Sequence, residues 1–315
     1  VTGRQVVATG VGLAVDGLRG PADLLTPYQR HPGGFDPDTG LRGKRMRHRD
    51  RASRLASLAA DAALDDAGLR SAEGAFLGTP TRTATVVSTN LGNLDSVCSF
   101  VTTIDEQSAL ALNSTELPNT SSNVTAGWLA IEHGLRAPNL TLSNGATSGL
   151  DALHWARTLI ATGRADAAVV TGVEPDNEYV RRLHRDNDER SWPDAAAAVV
   201  LESADHAERR GARARLVLGP YQRATSADAA LRAVLPAQSA AGQLLAEPAL
   251  AADRPVLDLA SWAGRQSGAL GVLQCVAAAA GLDDPEGVAV AVSCQLPDAA
   301  VAAMAFHGPA PVRAH

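Results

Sequence analysis

Residues Leu140 to Ala156 read LTLSNGATSGLDALHWA. A short apolar strand through Leu140 and Leu142 runs into Ser143-Asn144-Gly145, and a helix of small residues starts at once. A tight strand-to-helix turn of this kind presents a reactive side chain at its tip, over a helix N-terminus. Aligned peptide dipoles there, equivalent to about half a positive charge, lower a thiol pKa or hold an oxyanion. The tip residue is Ala146. A methyl group can neither attack a carbonyl nor carry an acyl chain, so the elbow has the shape for chemistry without the nucleophile.

The same pattern occurs twice. Gly145-x-x-Ser148-Gly149 recurs as Gly264-x-x-Ser267-Gly268, an offset of 119 residues. That offset also carries Leu140 onto Leu259 in VLDLAS, and LDALHWARTLIATG onto ALGVLQCVAAAAGL. It carries the buried strand Val169 to Val173 onto Val288 to Val292. Each half reads strand, tight turn, small-residue helix, β-branched strand, which is the signature of α/β layers. The register predicts two pseudo-repeated αβ halves in a five-layer αβαβα arrangement, with the two Ala-rich helices buried at its centre. The halves are expected at residues 1–205 and 206–315 of a single 1–315 domain, the second being shorter.

The remaining elements read more coarsely. Met46 to Leu69 has an apolar stripe at Leu55, Leu58, Ala62 and Leu69 with acids opposite, which predicts a surface-facing helix. Ala195 to Ser203 reads as a buried strand, and Thr225 to Pro255 as a connection without a clear element.

Composition narrows the function. Apolar residues make up 45% of the 315, the formal net charge is −6, and no apolar run is long enough to span a membrane. Basic residues concentrate only around Arg42 to Arg54, which gives no reason to expect nucleic acid. The opening VTGRQVVATGVG reads as a strand, not a secretion signal, and the expected location is cytoplasmic. Cys98, Cys275 and Cys294 lack metal or disulfide spacing and the eight histidines are scattered, so no metal cofactor is expected. Cys98 and Cys275 have apolar neighbours, as inert core cysteines do, and His133 and His154 read as satisfied core residues. Thr147 and Ser148, at the helix start, read as caps.

Over nearly its whole length the chain resembles the β-ketoacyl synthases of the thiolase fold. The resemblance is carried by RQVVATGVG, by RDRASRLASLAADAALDDAGL, by the run from Asn123 to Pro175, by AAAAVVLESADHAERRGARARLVLG and by GRQSGALGVLQ. It implies a cysteine at the elbow tip, where this chain has Ala146. It implies a histidine in the Gly-His-Thr-x-Gly turn, where Arg265 stands in Gly264-Arg265-Gln266-Ser267-Gly268. The His-Gly-Thr-Gly-Thr loop and the lysine before that turn have no counterpart, with Ser261 and Trp262 near the latter's place. Cys294 to Asp298 replaces the Gly-Phe-Gly-Gly gate, leaving Cys294 as the best remaining thiol. With nucleophile and both histidines absent, no condensation is expected in this chain.

Decarboxylating relatives keep the histidines, so the pattern is more similar to the chain length factors (ketosynthase-β subunits) of type II polyketide synthases, in particular the short form of polyene-forming systems. That resemblance implies a heterodimer with an active ketosynthase, an acyl carrier protein met through the complex, and no cofactor of the chain's own; the partner would use the carrier's phosphopantetheine. The expected interface is a helix from Asn119 to Leu135 with the edge strand Asn139 to Leu142. Thr120, Ser121, Val124 and Thr125 are the expected lining of the polyketide tunnel, with Trp128 as its stop. The alternative is a divergent thiolase-fold acyltransferase using Cys294 or a hydroxyl as nucleophile.

Overall fold

The computed structural model describes residues 4–185, 192–235, 242–250, 255–264, 267–295 and 300–309. The first half comprises β1 (Val6–Val15), α1 (Pro37–Gly40), α2 (Arg51–Asp66), β2 (Thr83–Ser88), α3 (Leu94–Glu106), α4 (Val124–His133), β3 (Asn139–Leu142), α5 (Ser148–Ala161), β4 (Ala167–Glu174), α6 (Glu178–Arg185) and β5 (Ala195–Ser203). The second comprises α7 (Ala204–Arg209), β6 (Leu216–Ala224), α8 (Ala227–Val234), β7 (Gln243–Leu245), β8 (Val256–Leu257), α9 (Ala260–Ala263), α10 (Leu270–Gly281), β9 (Val288–Gln295) and β10 (Ala300–His307).

The strand order makes the repeat visible. It runs β3-β2-β4-β5-β1-β6-β10-β9-β7-β8, so β1 to β5 map in order onto β6 to β10 by a rotation about the β1–β6 junction. That junction is slight, with only Val7 opposite Val217 and Ala8 opposite Leu216. Helices α2 and α4 cover one face of the first half, α5 and α10 lie between the halves, and α8 covers the second. These are the five layers of a thiolase-like α/β fold.

The central layer explains its sequence. Leu150, Leu153 and Ile160 on α5 and Val272, Leu273 and Val276 on α10 are fully buried. Each such side chain contributes roughly 1.5–3 kcal/mol of burial. The two helices cross where each has a glycine. A Cβ on Gly149 would lie 2.6 Å from the Gly271 nitrogen, and one on Gly271 would lie 2.3 Å from the Leu150 nitrogen. Backbones in contact leave no room for any side chain at the crossing.

Three expectations change. Helix α2 is not surface-facing: Ala52, Leu55, Ala56, Ala59, Ala60, Ala63 and Leu64 are buried, and Leu58 and Ala62 only half so. It lies between the sheet and α4, and its alanines let both approach; Asp61 is held there by Arg45 at 2.6 Å. The connection after Thr225 contains α8, capped where the Ser226 hydroxyl accepts the Ala229 N–H at 3.2 Å, and strand β7. Leu259 lies past the two-residue β8, at the start of α9, and is not a strand residue.

Candidate functional site

The elbow forms where β3 ends. Gly145 takes φ 68°, a left-handed conformation that turns the chain from strand to helix within one residue. Asn90, from the loop after β2, brackets the turn. Its Nδ2 donates to the Gly145 carbonyl at 3.0 Å, and its Oδ1 accepts the Gly145 N–H at 3.1 Å and the Ser148 hydroxyl at 2.9 Å. Ser148 Oγ accepts the Asn144 N–H at 2.6 Å. Thr147 Oγ1 donates to Asp151 at 2.9 Å. Neither hydroxyl caps the helix: both hold the turn or its first-turn acid. Asp151 also accepts from Asn144 Nδ2 at 2.9 Å and from the Tyr221 hydroxyl of β6, which ties the elbow to the second half.

Ala146 is wholly buried, on a turn packed against β9 and β10. A cavity of about 250 Å³ adjoins the elbow, lined by Asn90, Gly145, Glu174, Arg181, Trp192 and Ser267 among others. Ala146 does not line it. Arg181 is engaged by Asp176 at 2.7 Å, so this cation is already paired. Burial pushes the Glu174 carboxyl up to about 7, against the lowering effect of backbone N–H groups from Asn90, Gly268 and Leu91. Arg265 lies outside the described residues, as do Leu296, Pro297 and Asp298 of the expected gate.

No thiol stands at the cavity among the described residues. Cys275 is in the core, where burial raises its pKa well above the usual thiol range. Cys294 is not in a loop but near the end of strand β9, buried beside Val234 and Val301. Cys98 is only half-buried, on α3, and is not a core residue. His154 stacks on Tyr221 with ring centroids 4.2 Å apart. His133 is buried, with its Nε2 3.6 Å from Asp61 Oδ1, an ion-pair distance just beyond a hydrogen bond. Burial lowers the pKa of both histidines.

The helix expected from Asn119 begins instead at Val124; a 3₁₀ turn, Leu117–Thr120, precedes it. Pro118 sits at the start of that turn, and Gly134 ends α4 in the left-handed region. Thr120 is half-buried and Ser121 exposed. Val124 is buried, and Thr125, 2% exposed, turns inward with its hydroxyl 3.3 Å from that of Ser53. Trp128 lies under the Arg49 guanidinium, 5.0 Å from ring centroid, with its N–H toward Asn119 Oδ1 at 3.4 Å. None of these five lines the elbow cavity.

Sequence reasoning missed α3. The segment LDSVCSFVTTIDE repeats apolar residues at helical spacing, yet α3 buries none of them. Val97, Val101 and Ile104 are 36%, 61% and 49% exposed, and Leu110 and Leu117 beyond the helix are exposed too. The periodicity was there to find; what the structure adds is that the apolar row of this helix is left exposed. Strand β3 is likewise open on one side, as an edge that pairs only with β2 among the described residues.

A sequence model of the beta-ketoacyl synthase N-terminal domain matches residues 19–185, more than half of the chain. The chain belongs to the beta-ketoacyl synthase family. Among its relatives, 3-oxoacyl-[acyl-carrier-protein] synthase 2 of Vibrio harveyi is 31% identical over 173 residues, 48% of this chain and 41% of that protein. The tetracenomycin polyketide synthase ketoacyl synthase alpha subunit of Streptomyces glaucescens is 29% identical over 264 residues, 67% of this chain and 60% of that protein. The chain spans about half the length of the curated relatives it matches. The solved ishigamide ketosynthase/chain length factor superposes with a TM-score of 0.75 at 22% identity, covering 97% of this chain and 100% of that one. No helix among the described residues is long and apolar enough to cross a membrane.

Proposed function

We propose that this chain is a catalytically inactive ketosynthase-like subunit, a chain length factor of a type II polyketide synthase. In this reading it pairs with an active ketosynthase and forms one wall of the tunnel that sets polyketide, here polyene, chain length. The observation that carries the reading is Ala146, a buried methyl group at the tip of an elbow whose supporting hydrogen bonds are all in place. Everything that shapes the turn has been kept and the reacting atom has not.

The second support is the surface. The open edge of β3 offers unpaired backbone groups, and the apolar row of α3 offers area without a cover. A subunit with these two features fits an obligate partner, whose interface typically buries more than about 2,000 Å². The ketosynthase supplies nucleophile and histidines, and the acyl carrier protein delivers its thioester to the pair. The outward-facing row Val97, Val101 and Ile104 joins Thr120 and Ser121 as candidate lining, while Val124 and Thr125 act from inside by setting the position of α4.

The alternative, an acyltransferase with another nucleophile, finds no supporting geometry. Cys275 and Cys294 are buried in the core, and the hydroxyls of Thr147 and Ser148 serve the turn. Incubating the co-expressed pair with acyl thioester and weighing each chain tests the choice. The proposal predicts an acyl increment on the ketosynthase and none on this chain; a stoichiometric increment on this chain would establish the acyltransferase instead.

A further inference from the structure

The glycines that shape this fold have reasons within the chain. Gly134 and Gly145 take positive φ, and Gly149, Gly172, Gly268 and Gly271 have an atom within 3 Å of where a Cβ would stand. Gly127 has neither reason. It lies within α4, its N–H donates to the Asn123 carbonyl at 3.0 Å in the ordinary helical pattern, and its φ is not positive. A Cβ built there meets no atom within 4 Å. Of the other glycines inside α-helices among the described residues, Gly40, Gly149, Gly271 and Gly281 each have an atom at 3.3 Å or less. A glycine inside a helix costs about two- to fivefold in the folding equilibrium relative to alanine. Nothing in this chain offsets that cost.

The surroundings of Gly127 belong to the open edge of the sheet. The carbonyl of Ala126, its neighbour, accepts from Asn139 Nδ2 of β3 at 2.9 Å, so α4 is tied to the edge strand at this point. Along β3 the Pro138 and Leu142 carbonyls accept the Thr85 and Thr89 N–H groups at 3.0 and 3.1 Å. Backbone groups alternate in direction along a strand, so those of Asn139 and Thr141 face away from β2. One turn after Gly127, on the same side of α4, Ile131 is 73% exposed. On the other face of the sheet, α5 leaves Trp155 48% exposed.

An open strand edge with an uncovered apolar residue on the helix of each face needs more than a strand to close it. A lone peptide could pair with β3 and would leave Ile131 and Trp155 bare. A chain of this same fold brings its own β3, α4 and α5 in one piece. Laid antiparallel along β3, it continues the sheet and sets its α4 beside this one. A helix position without a side chain is where two helix backbones come closest.

We propose that Gly127 is the point at which the ketosynthase's counterpart of α4 crosses this α4, with Ile131 packed beside the crossing. The identity of the occupant rests on the proposed function; the open space at Gly127 does not.

Enlarging the residue separates the needs of this chain from those of the pair. Gly127→Ala on the full chain is expected to raise its folding equilibrium constant about two- to fivefold in urea denaturation, because alanine fits the open space. The same change is expected to weaken binding to the ketosynthase about three- to tenfold. Gly127→Leu is expected to weaken it at least about thirtyfold with no drop in the urea midpoint. Unchanged affinity in Gly127→Leu overturns the crossing. A lowered midpoint overturns it too, since Gly127 would then be packed within its own chain. Intact affinity with a shortened product gives the open space to the polyketide and overturns the crossing as well. If the unmodified chain does not bind the ketosynthase, the proposed function falls and the occupant named here falls with it. If it binds and both variants bind equally well, only the crossing at Gly127 falls. A chain that pairs with itself alone, in a pair that Gly127→Leu dissociates, makes the occupant a second copy and overturns the ketosynthase assignment.

Discussion

Helices α5 and α3 follow two segments that line the same cavity, at Gly145 and at Asn90 and Leu91, and are built by opposite rules. On α5, Leu150, Leu153, Ala156 and Ile160 are fully buried, and Gly149 meets Gly271 of α10 backbone to backbone. On α3 nothing is buried, although it has comparable apolar content, and the row Val97, Val101 and Ile104 faces outward. The first helix is the fold's own core, which explains why the elbow persists without its nucleophile: the turn cannot be dismantled without dismantling the central layer. The second helix carries an apolar row with no core behind it, which the proposed function assigns to a partner chain. Under the proposed function, the elbow without a nucleophile and the exposed apolar helix are two marks of one change, from enzyme to partner.

The contrast is broken most severely at the glycine crossing. Gly149→Leu is expected to lower unfolding free energy by about 3 kcal/mol or more, because both helices would have to separate. Urea denaturation checks this, and a loss under about 1 kcal/mol would mean the helices do not cross as closely as described. On α3 the opposite is expected. Val101→Asp should leave the isolated chain's stability within about 0.5 kcal/mol, as an exposed substitution does, while weakening binding to the ketosynthase by about 2 kcal/mol. A stability loss without a binding loss would place α3 in this chain's own core.

Glu174 connects the two regions and has a pH signature. Its carboxyl is raised from 4.5 to about 7, so within that window the folded chain holds a proton that the unfolded chain has released. Stability from this group is therefore complete below about pH 4.5 and falls as pH rises through about 7. Denaturation midpoints between pH 5 and pH 8 should carry that slope, and Glu174→Gln should remove its share. The smallest effect is expected at Trp128. Trp128→Ala removes the contact with Arg49, worth about 0.5–1 kcal/mol, and should lengthen the product of the assembled pair if the indole is the tunnel stop. Unchanged product length leaves Trp128 as a packing residue.

The sequence made the central layer legible because repetition amplifies it. Gly145-x-x-Ser148-Gly149 and its copy announce both buried helices and, through them, the mirrored strand order. The outer layers are less legible because alanine is ambiguous. The stripe through Leu55 and Leu58 suggested one buried face on α2, whereas Ala52, Ala56, Ala59, Ala60 and Ala63 let neighbours close on it from two sides. The site was half legible. Ala146 could be read directly, but Asn90 and Glu174 act on backbone groups from remote segments, and a lone Asn or Glu announces no such partner. Thr125 looked outward-facing because it sits near the helix start; its hydroxyl instead meets Ser53, a pairing visible only once α2 and α4 are placed together. On α3 the pattern was legible, and only the exposure shows that this chain does not bury the row.

The most direct measurement is the native mass of this chain co-expressed with the ketosynthase of its own polyketide system. A one-to-one heterodimer that stays intact through purification, with this chain poorly soluble when expressed alone, is the predicted result. A soluble homodimer of this chain that ignores the ketosynthase would contradict the proposal that its vacated elbow belongs to a partner subunit.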